Sequence, residues 1–565
     1  LSLGRTFEDD VSIVLAGEAG QGIQTIEMIL SRILKRSGLN VFGTKEYMSR
    51  VRGGTNATEI RVASEPVSAF VKRIDIFIPL DEKATSHVKR RLTDQTLIVC
   101  DSGTIHPDRE ALDVPFSKLA LEIGGELFAN MIAAGFLTGL LNIKIEIINE
   151  AIQYFFGKKA ADVIEKNYKA AKQGFDLGRE ACSKHNIACT VKRNPEVKND
   201  MLVNGHEAVA LGAAAGGCNF LASYPMSPST GVLTFLAKHA AEFGIVVEQA
   251  EDEIAAINMG LGSWYAGGRA MVTTSGGGFA LMVEGLSLAG AIESPMVIHL
   301  AQRPGPATGL PTRTEQGDLE FALHAGHGEF PRVILTPGTL QDAFFCASHA
   351  FYLADKYQVP VFILTDQYLL DSYYNLKEFS PMPPKPKNYF VQTEQAYQRY
   401  APAHDGISPR GIPGFGQGIV CVDSDEHDAG GYITEDMEVR TAMVRKRLKK
   451  MELLTGEILE PEIHRADEEY KKLVVGWGST HPLICEALKR KKTRDTAYLY
   501  FPQVYPFPPG LARYFQKARE VISVENNATG QLAKLIRRET GFEVHRKVLK
   551  FNGLPFSVEE LVEQI

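Results

Sequence analysis

Short, nearly continuous apolar runs alternate along this chain with longer stretches that carry apolar residues at helical spacing. Residues 11–16 form the first such run, and residues 23–35 follow with the periodicity of an amphipathic helix. Runs of the same kind at 74–78 and 96–99 are predicted strands with helical stretches between them. That rhythm predicts an α/β domain on a parallel sheet over residues 1–192. The polar run 192–200 reads as a linker. The pattern then returns, with strands predicted at 246–248, 270–273, 296–300, 333–335 and 361–364. A Pro- and Lys-rich stretch, 381–388, closes this second block, 193–388. Residues 389–465 read as a connector, irregular at first and then helical and strongly charged around 445–450. A third α/β block, 466–565, opens with the strand and turn Leu473-Val-Val-Gly-Trp-Gly478.

A length of 565 residues accommodates such a multi-domain chain with ample core. The content, 44% hydrophobic and 23% charged, is that of a globular protein. A net charge of −7 disfavours general nucleic-acid binding. The longest apolar stretch, 127–143, is broken by Asn130 and Asn142 and falls short of the ~20 residues that span a bilayer. The opening LSLGRTFEDD lacks a basic segment followed by an apolar run, so no secretory signal and a cytoplasmic location are expected. The seven cysteines are scattered and form no C-x-x-C pair. This argues against a disulfide framework and against an iron–sulfur or zinc site wholly inside the chain.

Several loops carry candidate chemistry. Gly17-Glu-Ala-Gly20-Gln-Gly22 lies between a strand and a helix, where glycines let backbone approach a phosphate; a plain tight turn fits equally. In Tyr224-Pro225-Met226-Ser227-Pro228-Ser229-Thr230, two prolines bracket a hydroxyl that can be aimed at a ligand; taken alone, a surface turn with a Ser229/Thr230 helix cap fits the motif better. Val246-Val-Glu248-Gln-Ala-Glu251-Asp-Glu253 runs from a strand into an acidic turn, where each acid also fits as a helix cap. Thr274-Ser275-Gly276-Gly277-Gly278 ends the next strand. The Gly/Pro-rich segment from Gln302 to Asp318 carries Arg303 and Arg313, whose planar forks suit a carboxylate; a solvated loop is the alternative.

The order of these motifs resembles the pyrimidine-binding domain of thiamine diphosphate enzymes. Within that class, Tyr-Pro-Met-Ser-Pro-Ser-Thr is similar to the Tyr-Pro-Ile-Thr-Pro-Ser motif of 2-oxoacid:ferredoxin oxidoreductases, with Ser227 in place of threonine and Met226 in place of isoleucine. Gly-Glu-Ala-Gly-Gln-Gly and Arg50-Val-Arg52-Gly53-Gly54-Thr-Asn-Ala-Thr58 resemble the family's γ domain. Val524-Glu525-Asn526-Asn-Ala-Thr-Gly530-Gln531-Leu532 resembles its C-terminal α-subunit domain, which is transketolase-like. The chain therefore reads as a γ–α fusion.

The resemblance implies thiamine-dependent, CoA-coupled oxidative decarboxylation of a 2-oxoacid, or the reverse reductive carboxylation, with ferredoxin as electron carrier. Glu251, 24 positions before Ser275, is the expected activator of the cofactor pyrimidine, with Glu248 as the alternative. Tyr224, Pro225, Ser275 and Gly276 are the expected cofactor-binding residues. Ser227 and Arg313 are expected to hold the near end of the substrate. Lys45, in Thr44-Lys45-Glu46-Tyr47, is expected to meet the far carboxylate of 2-oxoglutarate, which places that substrate ahead of pyruvate and other 2-oxoacids. The sequence has no Gly-Asp-Gly motif for diphosphate and Mg²⁺ and no cysteine cluster. Both are expected on a β subunit carrying a 4Fe–4S cluster, in an (αβ)2 heterotetramer. A non-catalytic CoA- or nucleotide-binding scaffold and a transketolase-like enzyme remain open at this point.

Overall fold

The computed structural model describes residues 4–18, 23–48, 54–465, 470–492 and 494–565. The chain is α/β throughout and divides into two compact units, residues 1–203 with 371–378, and residues 204–370 with 379–565.

The first unit is built on an eight-stranded sheet in the order Ala111–Asp113, Leu97–Cys100, Ile76–Pro79, Asp10–Glu18, Thr55–Ala63, Asn40–Glu46, Tyr373–Leu376, Met201–Asn204. Asp10–Glu18 is buried from Val11 to Gly17, as its apolar run predicts. The expected purely parallel sheet is corrected to a mixed one. Asp10–Glu18 pairs parallel with Ile76–Pro79 but antiparallel with Thr55–Ala63, which in turn is antiparallel to Asn40–Glu46. These two strands escape a βα reading because no helix separates them. The strand Tyr373–Leu376 joins the same sheet antiparallel to Asn40–Glu46 from far along the sequence. The apolar stretch near 127–143 becomes the helix Ala129–Leu140, buried against the long helix Ala161–His185. The polar run 192–200 is docked rather than free: Lys35 Nζ donates to Lys198 O at 3.0 Å, and Asn194 N to Gly38 O at 2.8 Å.

The second unit holds two sheets. A seven-stranded sheet runs Val246–Gln249, Phe220–Ser223, Ala270–Thr274, Met296–Gln302, Pro360–Asp366, Val333–Leu335, Gln503–Tyr505. Every neighbouring pair in it is parallel except the last. A five-stranded sheet runs Glu462–His464, Thr496–Phe501, Lys472–Trp477, Glu520–Glu525, Arg546–Leu549, parallel but for its first strand. All seven cysteines are free thiols. Among the described residues no helix is long and apolar enough to cross a membrane.

The charged connector helix, Met437–Thr455, buries part of its charge. Lys450 and Glu293 are both about 1% exposed, and their Nζ–Oε2 distance is 2.6 Å. Lys446 Nζ reaches Glu293 Oε1 at 2.5 Å. Burial would raise the Glu293 carboxyl, but Lys450, then Lys446 and Arg399, outweigh it and hold it at about 2. A carboxyl depressed below its unfolded value of 4.5 adds stability above that pH and loses it as pH falls toward about 2. Glu293→Gln should cost about 3–5 kcal/mol at neutral pH by stranding buried lysines. The difference from the parent protein, read by denaturation against pH, should narrow on acidification; a constant difference would show that the ion cluster does not set it.

Candidate active site

In an open parallel sheet, loops beyond the carboxyl ends of the strands are where ligands bind. Here the ends of Phe220–Ser223, Ala270–Thr274 and Met296–Gln302 lie side by side, and each releases one of the motifs singled out above. Ser223 Oγ donates to Thr273 O at 2.7 Å and ties two of these ends together. Ser229 Oγ donates to Met226 O at 2.7 Å and closes the turn that presents Ser227. Tyr224 is exposed, while Pro225 and Ser227 are half-buried.

The acidic turn resolves into three environments. Glu248, on the edge strand Val246–Gln249, and Glu251 are both exposed. Asp252 caps the helix Glu253–Tyr265, its Oδ1 accepting from Ala255 N at 2.7 Å. Glu253 is the buried acid, 3% exposed, with no hydrogen-bond partner on Oε1. Burial raises its carboxyl above the ordinary value. Glu251 and Glu248 thus lie at the surface of this chain, and Glu253 in its interior. Solvent-exposed carboxylates gain nothing from the low dielectric that perturbs a buried acid. Glu253 was legible from phase: with Ala256, Ile257, Gly260, Leu261 and Trp264 it lies on the buried face of its helix.

Backbone approaches this acid closely. Ser275 is fully buried with no partner on Oγ. A Cβ on Gly278 would lie 2.2 Å from Thr274 Oγ1 and 2.5 Å from Glu253 Oε1. One on Gly276 would lie 2.6 Å from Asp318 Oδ2. Glycine is therefore what lets the loop and two carboxylates share this space. Burial, with Glu315 adding to it and Arg303 opposing, raises the Asp318 carboxyl to about 6. Asp318 N donates to Gln302 Oε1 at 3.0 Å.

Of the two loop arginines, Arg303 is the one brought to Ser227. Its Nη1 donates to Ser227 O at 2.7 Å, and its buried Nε has no partner. Arg313 is half-buried, and a Cβ on Gly553 would lie 3.2 Å from its own Cβ. The signal for Arg303 was its position, immediately after the buried strand Met296–Gln302.

The loop itself is held by the C-terminal block. Gln316 N donates to Asn526 O at 2.7 Å, and Asn526 N donates to Gln316 Oε1 at 2.8 Å. Gln316 Nε2 donates to Trp477 O at 2.8 Å, and Gln531 Nε2 to Gly317 O at 2.8 Å. Asp366, at the end of Pro360–Asp366, accepts from Ser479 Oγ at 2.5 Å and Thr314 Oγ1 at 3.3 Å.

The first unit has a polar pocket of about 280 Å³ whose lining includes Glu18, Glu27, Lys45, Tyr47 and Asn56. Lys45 Nζ lies 3.8 Å from Oδ1 of the buried Asp371. Thr58 Oγ1 donates to Glu27 Oε2 at 3.1 Å. Burial raises Glu27 to about 6, with Lys45 pulling the other way. Ala19–Gly22 of the first glycine motif, and Arg50, Arg52 and Gly53 of the second, lie outside the described residues.

Residues 12–177 match the family model described as pyruvate ferredoxin/flavodoxin oxidoreductase. Residues 211–446 match that of the pyruvate flavodoxin/ferredoxin oxidoreductase thiamine diphosphate-binding domain. A 2-oxoacid:ferredoxin oxidoreductase subunit alpha from a Sulfolobus species is 30% identical, over 98% of this chain and 96% of the relative. The chain belongs to the 2-oxoacid:ferredoxin oxidoreductase family. A 2-oxoglutarate oxidoreductase subunit KorA from Mycobacterium tuberculosis is 28% identical, over 98% of this chain and 90% of that one. The solved 2-oxoglutarate:ferredoxin oxidoreductase of Magnetococcus marinus, with 2-oxoglutarate, coenzyme A and succinyl-CoA bound, superposes with a TM-score of 0.91. It is 31% identical, covering 98% of this chain and 99% of that one.

The residues present fit the pyrimidine end of the family's cofactor. A pyrimidine needs polar atoms with hydrogen-bonding capacity left over, and Glu253 Oε1 and Ser275 Oγ are buried with none of theirs used. If Gln316 fixes the loop that carries Arg303 and Asp318, Gln316→Ala should strand Asn526 N and take one of two bonds from Trp477 O, which keeps Thr480 Oγ1. Each buried group left without its bond costs about 1–3 kcal/mol. Chemical denaturation should read a loss of that order, accompanied by a fall in kcat; an unchanged unfolding midpoint would show that water replaces both bonds.

Proposed function

We propose that this chain is the subunit of a 2-oxoglutarate:ferredoxin oxidoreductase that binds the 2-oxoacid and the pyrimidine end of thiamine diphosphate. The observation that carries the reading is the buried Glu253, its Oε1 without a partner, facing the glycine loop 276–278, with Ser227 and Arg303 on adjoining strand ends. When bound, the cofactor supplies the carbon nucleophile for the keto carbon and takes up the electron pair as carbon dioxide leaves. Glu253, rather than Glu251 or Glu248, shares the proton at pyrimidine N1′, because it alone of the three combines burial with a free carboxyl oxygen. Arg303 holds the near carboxylate of the 2-oxoacid, and the Ser227 hydroxyl donates to its keto oxygen. Tyr224 and Pro225 shape the wall from which Ser227 projects.

Coenzyme A takes the acyl group, giving succinyl-CoA from 2-oxoglutarate, and ferredoxin removes two electrons one at a time. Diphosphate, Mg²⁺ and the 4Fe–4S cluster belong to a β subunit in this reading, with an (αβ)2 assembly in the cytoplasm. The scattered cysteines and the missing Gly-Asp-Gly motif support that division. Lys45 reads the far carboxylate. The 2-oxoglutarate enzymes among the relatives support this choice of substrate.

Glu253→Gln should leave the complex assembled and lower kcat by roughly 10²–10⁴-fold, the usual loss of a general acid–base group. Glu251→Gln and Glu248→Gln should remain near parental activity. If either of these is dead while Glu253→Gln works, the assignment is wrong. Arg303→Ala should weaken every 2-oxoacid alike, and Arg313→Ala should do so less.

Lys45 is tested by substrate choice. A charge-assisted hydrogen bond contributes about 1.5–3 kcal/mol, and about 1.36 kcal/mol is tenfold in rate. Lys45→Ile should lower kcat/KM for 2-oxoglutarate by roughly ten- to a hundredfold and spare pyruvate and 2-oxobutyrate. Because Lys45 also faces Asp371 and Glu27, unfolding of the variant is measured alongside. An equal loss on all substrates makes the lysine structural.

A further inference from the structure

A second cluster of reactive side chains lies on the five-stranded sheet. His464 ends the edge strand Glu462–His464, directly opposite Tyr498 on the neighbouring strand. His481 and Cys485 lie four residues apart on the helix Thr480–Lys491, which puts them on one helix face. One ligand atom from each of the three side chains lies within 4.8 Å of the other two. Cys485 Sγ is 3.8 Å from His481 Nδ1, and Glu462 Oε2 is 3.5 Å from His464 Nε2. His464 Nε2 is shielded from solvent and has no hydrogen-bond partner. The rings are oriented by stacking: His481 lies 4.0 Å from Tyr500, and His464 5.6 Å from Tyr498, centroid to centroid. His481 Nδ1 also lies 3.2 Å from Tyr498 Oη.

We propose that His464, His481 and Cys485 form a binding site for a borderline-soft divalent metal, Zn²⁺ above all, with Glu462 or water as the fourth ligand. Two imidazole nitrogens, one thiolate and one oxygen match the donors zinc takes, whereas Mg²⁺ and Ca²⁺ prefer all-oxygen sites. Bonds of about 2.0–2.3 Å in a tetrahedral site bring ligand atoms to about 3.3–3.5 Å apart. Cys485 and His481 are already near that separation, and the third side chain closes the rest by rotation within the cluster. On binding, the Cys485 thiol releases its proton to solvent as the Zn–S bond forms, and Tyr498 Oη gives up Nδ1 of His481. Glu462 and His464 are part-exposed, which leaves an entry path. The bound ion would fasten a three-residue edge strand, the end of the connector, to the helix of the C-terminal block. Cysteine spacing alone cannot disclose such a site, because two of its three ligands are histidines from separate elements.

The full-length chain, stripped with chelator, is dialysed against Zn²⁺ and the bound metal counted by elemental mass spectrometry. One Zn²⁺ per chain is expected, with binding weakened more than tenfold in Cys485→Ser and in His464→Ala. Zn²⁺ should also slow alkylation of Cys485 but not of Cys421, read by peptide mass. His464 is part-exposed, so His464→Ala keeps the test informative should Cys485→Ser fail to fold. Equal Zn²⁺ binding by parent and His464→Ala, no Zn²⁺ binding by the parent, or alkylation of Cys485 unaffected by Zn²⁺ would each overturn the proposal and leave a histidine–tyrosine packing cluster.

Discussion

The reciprocal pairing of Gln316 with Asn526 is the constraint on which the second unit's site depends. A loop rich in glycine and proline has no ladder of its own to satisfy its backbone, so its conformation must be imposed from outside. Here the C-terminal block imposes it, through Asn526, Trp477 and Gln531 on one side and Ser479 to Asp366 on the other. Glu525 anchors that block in turn, accepting from Leu532 N at 2.7 Å and Ala533 N at 3.1 Å at the start of the next helix. Val524–Leu532, noticed in the sequence only as a likeness, therefore has a physical task. It holds the strand of chain that carries Arg303 and Asp318.

The order of elements was legible because both units bury their central strands on both faces. A strand buried on two faces reads as a nearly continuous apolar run, and Asp10–Glu18, Met296–Gln302 and Pro360–Asp366 all do. What escaped were pairings set by tertiary context. The return of Tyr373–Leu376 to the first unit's sheet has no local signature, since nothing in four residues specifies a partner more than three hundred positions earlier. The charged segment near 445–450 was legible as helix but not as buried, because its burial depends on Glu293 meeting it from another element.

Within the second unit, motif order pointed to the strand ends that carry these loops but not to which side chains they bury. Spacing to the glycine loop led to Glu251, two residues short of the acid that faces it. Helical phase separates the two, because Asp252 takes the cap and Glu253 becomes the first buried position. The choice between Arg303 and Arg313 turns on the same kind of detail. A residue that directly follows a buried parallel strand is delivered to the ligand edge, whereas one ten positions into a loop goes wherever the loop is pinned.

The two buried glutamates show how function can be told from architecture. Glu293 and Glu253 both expose little surface to water, Glu293 lying the deeper, so each bears a desolvation cost. For Glu293 the chain supplies the answer, with Lys446 and Lys450 at ion-pair distance and a carboxyl held down at about 2. For Glu253 it supplies no cation, only a backbone hydrogen bond: Oε1 has no partner, and burial pushes the carboxyl up. A fold that left that cost unanswered for stability alone would gain by replacing the acid with an apolar residue of similar volume. The proposed pyrimidine would offer that oxygen the partner it lacks, a group that can take or give a proton there. The glycines at 276 and 278 keep open the space in which such a group would lie.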